Sequence, residues 1–87
     1  MAVYMADRNL PGITMEQLGQ AQQAAISASQ QMTAEGTPVR YLRSMYVPEE
    51  NHCMCLFEAE SPAAVKEAND RAKLPYTRIV EAMDLTP

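Results

Sequence analysis

The chain is 87 residues long, with a formal charge of -4 and 47% hydrophobic residues. That length suits a single domain, residues 1–87, which hides only about 60–65% of its unfolded surface on folding, so self-association is favoured on size alone. Acidic residues without basic runs offer no handle for nucleic acid or anionic lipid. No stretch approaches the ~18 apolar residues of a membrane span and the N-terminus lacks a secretion-signal pattern, so a cytoplasmic setting is expected.

Val3 to Arg8 reads as a first strand, closed by the turn cluster Asn9-Leu10-Pro11-Gly12. Thr14 stands three residues before Gln17, the spacing of a capping box, and predicts a helix start. Met15, Leu18, Ala21, Ala25, Ala28 and Met32 then recur at helical spacing down to Gly36, which predicts a first helix over Met15 to Glu35. Val39 to Val47 carries branched and aromatic residues and meets Pro48-Glu49-Glu50-Asn51, so a second strand and a turn are expected. His52 to Ala59 reads as a third strand, completing an antiparallel hairpin. Ser61 before Pro62 marks a second helix start. Its apolar stripe is Ala64, Val65, Ala68 and Ala72, and Leu74-Pro75 ends it near Lys73. Arg78 to Leu85 reads as the last strand.

This βαββαβ order predicts an α+β, ferredoxin-like domain: a four-stranded antiparallel sheet with both helices on one face. On the third strand Cys53, Cys55 and Phe57 point one way while His52, Met54 and Leu56 point the other, so both faces carry sizeable side chains. A sheet with one wet face shows cleaner alternation, so a twin subunit is expected over the bare face, giving a dimeric α/β-barrel-like assembly.

Cys53 and Cys55 lie on one face roughly 6.5–7 Å apart along the strand, poor geometry for a mutual disulfide, so reduced thiols are expected. Imidazole and thiolate donors suit nickel, copper and zinc. His52, the only histidine, is therefore the candidate metal ligand, although it projects away from the two cysteines. The plainer reading makes the cysteines small buried hydrophobes beside Phe57. The scattered methionines read as gap-filling core or interface residues. Tyr4, Tyr41, Tyr46, Arg40 and Arg43 bring polar tips and fixed cations onto the sheet. There they either hold an anion or small aromatic ligand in a dimer cavity, with Tyr4, Tyr41 and Arg43 as its candidate binding residues, or form ordinary salt bridges with Glu58 or Glu81. No phosphate loop or paired zinc motif is present, and no serine, cysteine or lysine has a base beside it in sequence.

Two segments carry a family resemblance: Pro38-Val39-Arg40-Tyr41-Leu42-Arg43-Ser44 with Val47-Pro48-Glu49-Glu50, and Cys55-Leu56-Phe57-Glu58-Ala59 with Ser61-Pro62-Ala63-Ala64-Val65, continuing through Leu74-Pro75 to Arg78-Ile79-Val80-Glu81. With the opening strand and Leu10-Pro11-Gly12, they resemble a family of small bacterial proteins, common in actinobacteria, whose usual label is a nickel-binding protein with a ferredoxin-like dimer. The resemblance spans nearly the whole chain. It implies a homodimer, with nickel as the candidate bound ion. Asn69 stands where many relatives have a histidine, which makes it a candidate ligand-binding position carrying an amide, a poorer nickel donor than imidazole. Lys73 stands where relatives have a helix-ending glycine, at a cost of about 1 kcal/mol if the left-handed conformation is kept. The alternative function is a small dimeric α+β barrel enzyme, of oxygenase, isomerase or cyclase type, that holds an organic ligand between sheet and helices.

Overall fold

A computed structural model describes all 87 residues. Its elements follow the expected order: β1 (Ala2–Asn9), α1 (Met15–Ala34), β2 (Val39–Val47), a 3-10 turn at Pro48–Glu50, β3 (His52–Ala59), α2 (Pro62–Arg71) and β4 (Arg78–Ala82). The four strands form one antiparallel sheet in the order β2-β3-β1-β4, the ferredoxin-like topology. No helix is long and apolar enough to cross a membrane.

Local chemistry places the helix ends. The Thr14 hydroxyl accepts from the Gln17 amide at 3.1 Å while the Gln17 side chain accepts from the Thr14 amide at 3.0 Å, closing the capping box at the start of α1. Ser61 accepts from Ala64 at 3.2 Å, and Pro62 opens α2 where its missing N–H costs nothing. Both helices end in Schellman turns. Thr37 and Gly36 donate to Met32 and Thr33 after α1, and Leu74 and Lys73 donate to Asn69 and Asp70 after α2. The residue that must go left-handed is glycine in the first turn, but in the second it is Lys73, at φ 58°. The conformation inferred for the relatives' glycine is thus kept by a side chain that strains it.

Strand alternation sorts the sheet into two faces. Tyr4, Ala6 and Arg8 of β1 and Cys53, Cys55, Phe57 and Ala59 of β3 are buried under the helices, where Ala25 and Met32 of α1 and Ala64, Val65 and Ala68 of α2 cover them. A bulge between Tyr41 and Arg43 adds one residue to β2 and resets its alternation, so that Ser44 and Tyr46 pair with Cys55 and Cys53 on the helix side. The opposite face carries half-buried Val3, Met5, Val47, Met54, Leu56, Val80 and Ala82 with no helix over them.

Two expectations change. The last strand stops at Ala82, because Ala82 pairs with Val3 and β1 begins only one residue earlier, leaving no backbone for residues up to Leu85 to pair with. The tail instead turns over the open face, where Asp84 pairs with Arg43 of β2 at the far edge of the sheet. Met15 is 77% exposed rather than packed in the helix stripe. Of the methionines only Met32 lies in the core.

Candidate functional site

The helix side of the sheet encloses a cavity of about 250 Å³. Leu10, Met15, Leu18, Ala21 and Leu74 supply its apolar wall, and Arg8, Ser44, Cys53 and Cys55 bring chemistry to its floor. Cys53 and Cys55 reach the same floor because they are two apart on β3, and their sulfurs lie 3.8 Å apart. Both thiols are free and buried.

A directed chain of hydrogen bonds ends on Cys55. The Gln22 amide donates to the Tyr41 hydroxyl at 3.0 Å, Tyr41 and Ser44 share a hydrogen at 2.6 Å, and the Ser44 hydroxyl donates to the Cys55 sulfur at 2.8 Å. Since Ser44 gives its only hydrogen to sulfur, its bond with Tyr41 must be donated by the phenol. Every donor therefore points toward Cys55, the arrangement that favours an anion at the end of the chain. The Cys53 thiol adds one more donor. It holds the Cys55 pKa down to about 6; burial opposes this, and the Arg8 charge and the Ser44 hydroxyl reinforce it. Cys53 moves the opposite way, pushed up by its bond to Cys55 and by burial, so one proton stays on Cys53 while Cys55 is ionised at neutral pH.

Arg8 is the cation of the site and is only 1% exposed. Its Nη1 donates to the Pro75 carbonyl at 3.1 Å and its Nη2 to Asn69 Oδ1 at 2.8 Å, while its Nε finds no hydrogen-bond partner. Neither bonded partner is charged, and no ion pair to a carboxylate involves this guanidinium. A buried cation needs a counter-ion. The Cys55 thiolate fills that role, since Arg8 faces Cys53 across the strand pair and its charge acts on both sulfurs.

The residues singled out from sequence fall on both sides of the sheet. Tyr4 packs into the core, and Tyr41 sits edge-on to Phe57 at a 5.6 Å centroid distance. Asn69, fully buried on α2, donates to the Val65 carbonyl at 2.8 Å and orients Arg8 through its own oxygen. Arg43 and His52 lie on the other face. There His52 Nε2 bonds Asp7 Oδ1 and its Nδ1 lies 3.8 Å from Glu50, while Arg78 Nε donates to Asp7 Oδ2 at 2.9 Å. Burial pushes the Asp7 carboxyl up, but the bonds from Arg78 and His52 outweigh it and hold the group below the ordinary carboxylate value. None of Tyr4, Tyr41, Arg43, His52 and Asn69 lines this cavity. Tyr41 and Asn69 reach it one hydrogen bond away, through Ser44 and Arg8. No group of three or more His, Cys, Asp or Glu side chains in the chain converges on a point where a metal ion fits.

Arg8 is the residue that sequence reading missed. The signal for it was present: Tyr4, Ala6 and Arg8 alternate on one face, which puts a charge at an inward position.

Residues 4–82 match the family model described as "Nickel responsive protein SCO4226-like". Among solved structures the chain is similar to the one reported as "Crystal structure analysis of SCO4226 from Streptomyces coelicolor A3(2)", with 27% identity, a TM-score of 0.82, and coverage of 98% of this chain and 100% of that one. No curated protein matches the chain. The chain belongs to the nickel-responsive SCO4226-like family.

Proposed function

We propose that this member of the nickel-responsive SCO4226-like family is a small cytoplasmic homodimer that binds a thiophilic metal ion at Cys53 and Cys55. The observation that carries the reading is the pair of free sulfurs 3.8 Å apart on a cavity floor. With metal–sulfur bonds of ~2.3 Å, that spacing corresponds to an angle of about 110° at the metal, a tetrahedral bite. Thiolates fit nickel as donors, and a small rotation of either side chain narrows the bite toward the tetragonal geometry that nickel prefers. His52 is less available, because its ring nitrogens already face Asp7 and Glu50. The apolar open face supports the twin subunit: Val3, Met5, Met54 and Leu56 lie there half-buried in a protomer whose size rewards further burial.

Equilibrium dialysis of tag-free protein against nickel tests the site. Wild type and His52→Ala should each retain about one nickel per chain, while the Cys53→Ser/Cys55→Ser double variant should fall below about 0.1. Wild type below that level removes nickel as the bound ion, and loss with His52→Ala alone overturns the assignment to the two cysteines.

A small dimeric α+β barrel enzyme acting on an organic ligand is the second reading, and the cavity supports it less well. At about 250 Å³ the cavity falls just under the usual small-molecule range of ~300–1,000 Å³. The wall residues that reading calls for, Tyr4, Tyr41, Arg43 and His52, are not among those lining it.

A further inference from the structure

We infer that the Cys53–Cys55 floor is built for a soft monovalent cation, copper(I), in preference to any divalent ion, because a buried arginine without a carboxylate partner requires the loaded thiol pair to keep one net negative charge. The inference deepens the thiol site proposed above by naming the ion class that completes it.

Charge decides the preference. Arg8 is buried and bonded only to a carbonyl and an amide oxygen, and its Nε hydrogen is unpartnered. Two thiolates with copper(I) sum to −1, and Arg8 brings the site to zero. Two thiolates with nickel(II) or zinc(II) sum to zero and leave the buried Arg8 uncompensated, the costlier arrangement. Both sulfurs bind as thiolates, so any thiol proton leaves on loading and the filled site holds no unmatched charge.

Donor number and softness agree with the charge. Copper(I) is selected by thiolate and thioether sulfur. The floor offers two thiols, and no third His, Cys, Asp or Glu converges on them, whereas tetrahedral zinc sites take four ligands. Met15 lies in the wall of the same cavity, and its flexible, solvent-facing thioether is free to swing inward as a third soft donor.

The test is an anaerobic competition in which copper(I) is presented as its coloured bicinchoninate complex. Wild type should withdraw one copper(I) per chain, resist a tenfold excess of zinc(II), and weaken by at least ~100-fold when either cysteine is changed to serine. Because a serine variant that fails to fold would imitate that loss, wild type is also assayed alone: bound copper(I) should protect both thiols from alkylation by a neutral maleimide, read by mass. Displacement by zinc(II), unprotected thiols, or full binding by the double serine variant through exposed methionines each overturns the inference. Nickel dialysis on the same preparation reports separately. Copper(I) uptake without nickel uptake upholds the inference and removes nickel from the proposed function, and the reverse result does the opposite.

Discussion

Replacing Asn69 with leucine keeps the volume on α2 but removes the amide oxygen that accepts from the buried Arg8 guanidinium. The lost bond, Nη2 to Oδ1 at 2.8 Å, has a charged donor, and both residues are essentially without solvent exposure. Bonds of that kind contribute about 1.5–3 kcal/mol, and an orphaned buried donor costs a similar amount, so Asn69→Leu should destabilise by ~2–3 kcal/mol. In a domain of this size each kcal/mol moves the midpoint by about 4–8 °C, giving a fall of roughly 8–24 °C in thermal unfolding at fixed chain concentration. A double-mutant cycle with Arg8→Met isolates the pair and should return a coupling of ~1.5–3 kcal/mol. The same substitution frees the guanidinium to move away from the thiols, so the Cys55 pKa should climb from about 6 toward the ordinary 9.0. Energies that add within about 0.5 kcal/mol in the cycle, with Cys55 still titrating where it does in wild type, would refute the claim that Asn69 holds Arg8 over the sulfurs.

Three further outcomes follow from the same geometry. Asp7 has a folded-state pKa below its ordinary 3.8, so its stabilising contribution is complete above that value and lost as pH falls through the folded pKa; Asp7→Asn should remove this acid-side slope from a urea-midpoint series. Cys55 is depressed in the same sense, from 9.0 to about 6, so the stability difference between wild type and Cys55→Ser should grow from pH 6 to pH 9. Above pH 9 it should shrink again, because folding keeps Cys53 protonated when the unfolded chain has lost that proton. Lys73→Gly should stabilise the protein by about 0.5–1 kcal/mol in denaturant unfolding, since the residue sits at φ 58° in the Schellman turn; no gain would mean the lysine stem offsets the strain.

The fold was legible because its signals are local. Thr14 with Gln17, and Ser61 with Pro62, each mark a helix start within four residues, and alternation along His52 to Ala59 shows that Cys53 and Cys55 share a face that His52 does not. The site was less legible because its partners are far apart in sequence. Arg8 meets Asn69 across 61 positions, and no local pattern separates a charge at a strand end from one inside the core. Asn69 drew attention through the family resemblance, and its side-chain oxygen accepts from the arginine that faces the sulfurs. Met15 fits the helical stripe in spacing, but its side chain borders the cavity and stays largely exposed instead of filling the core. The tail beyond Ala82 kept strand-like residues after its pairing partner had run out, which composition does not reveal.

The most direct measurement of what the thiols do is nickel-edge X-ray absorption on tag-free, nickel-loaded protein. Two sulfur neighbours per nickel are expected, both absent in the Cys53→Ser/Cys55→Ser variant. A coordination shell of nitrogen and oxygen alone, unchanged by that variant and lost with His52→Ala, would place the metal on the opposite face of the sheet and contradict the cavity-floor assignment.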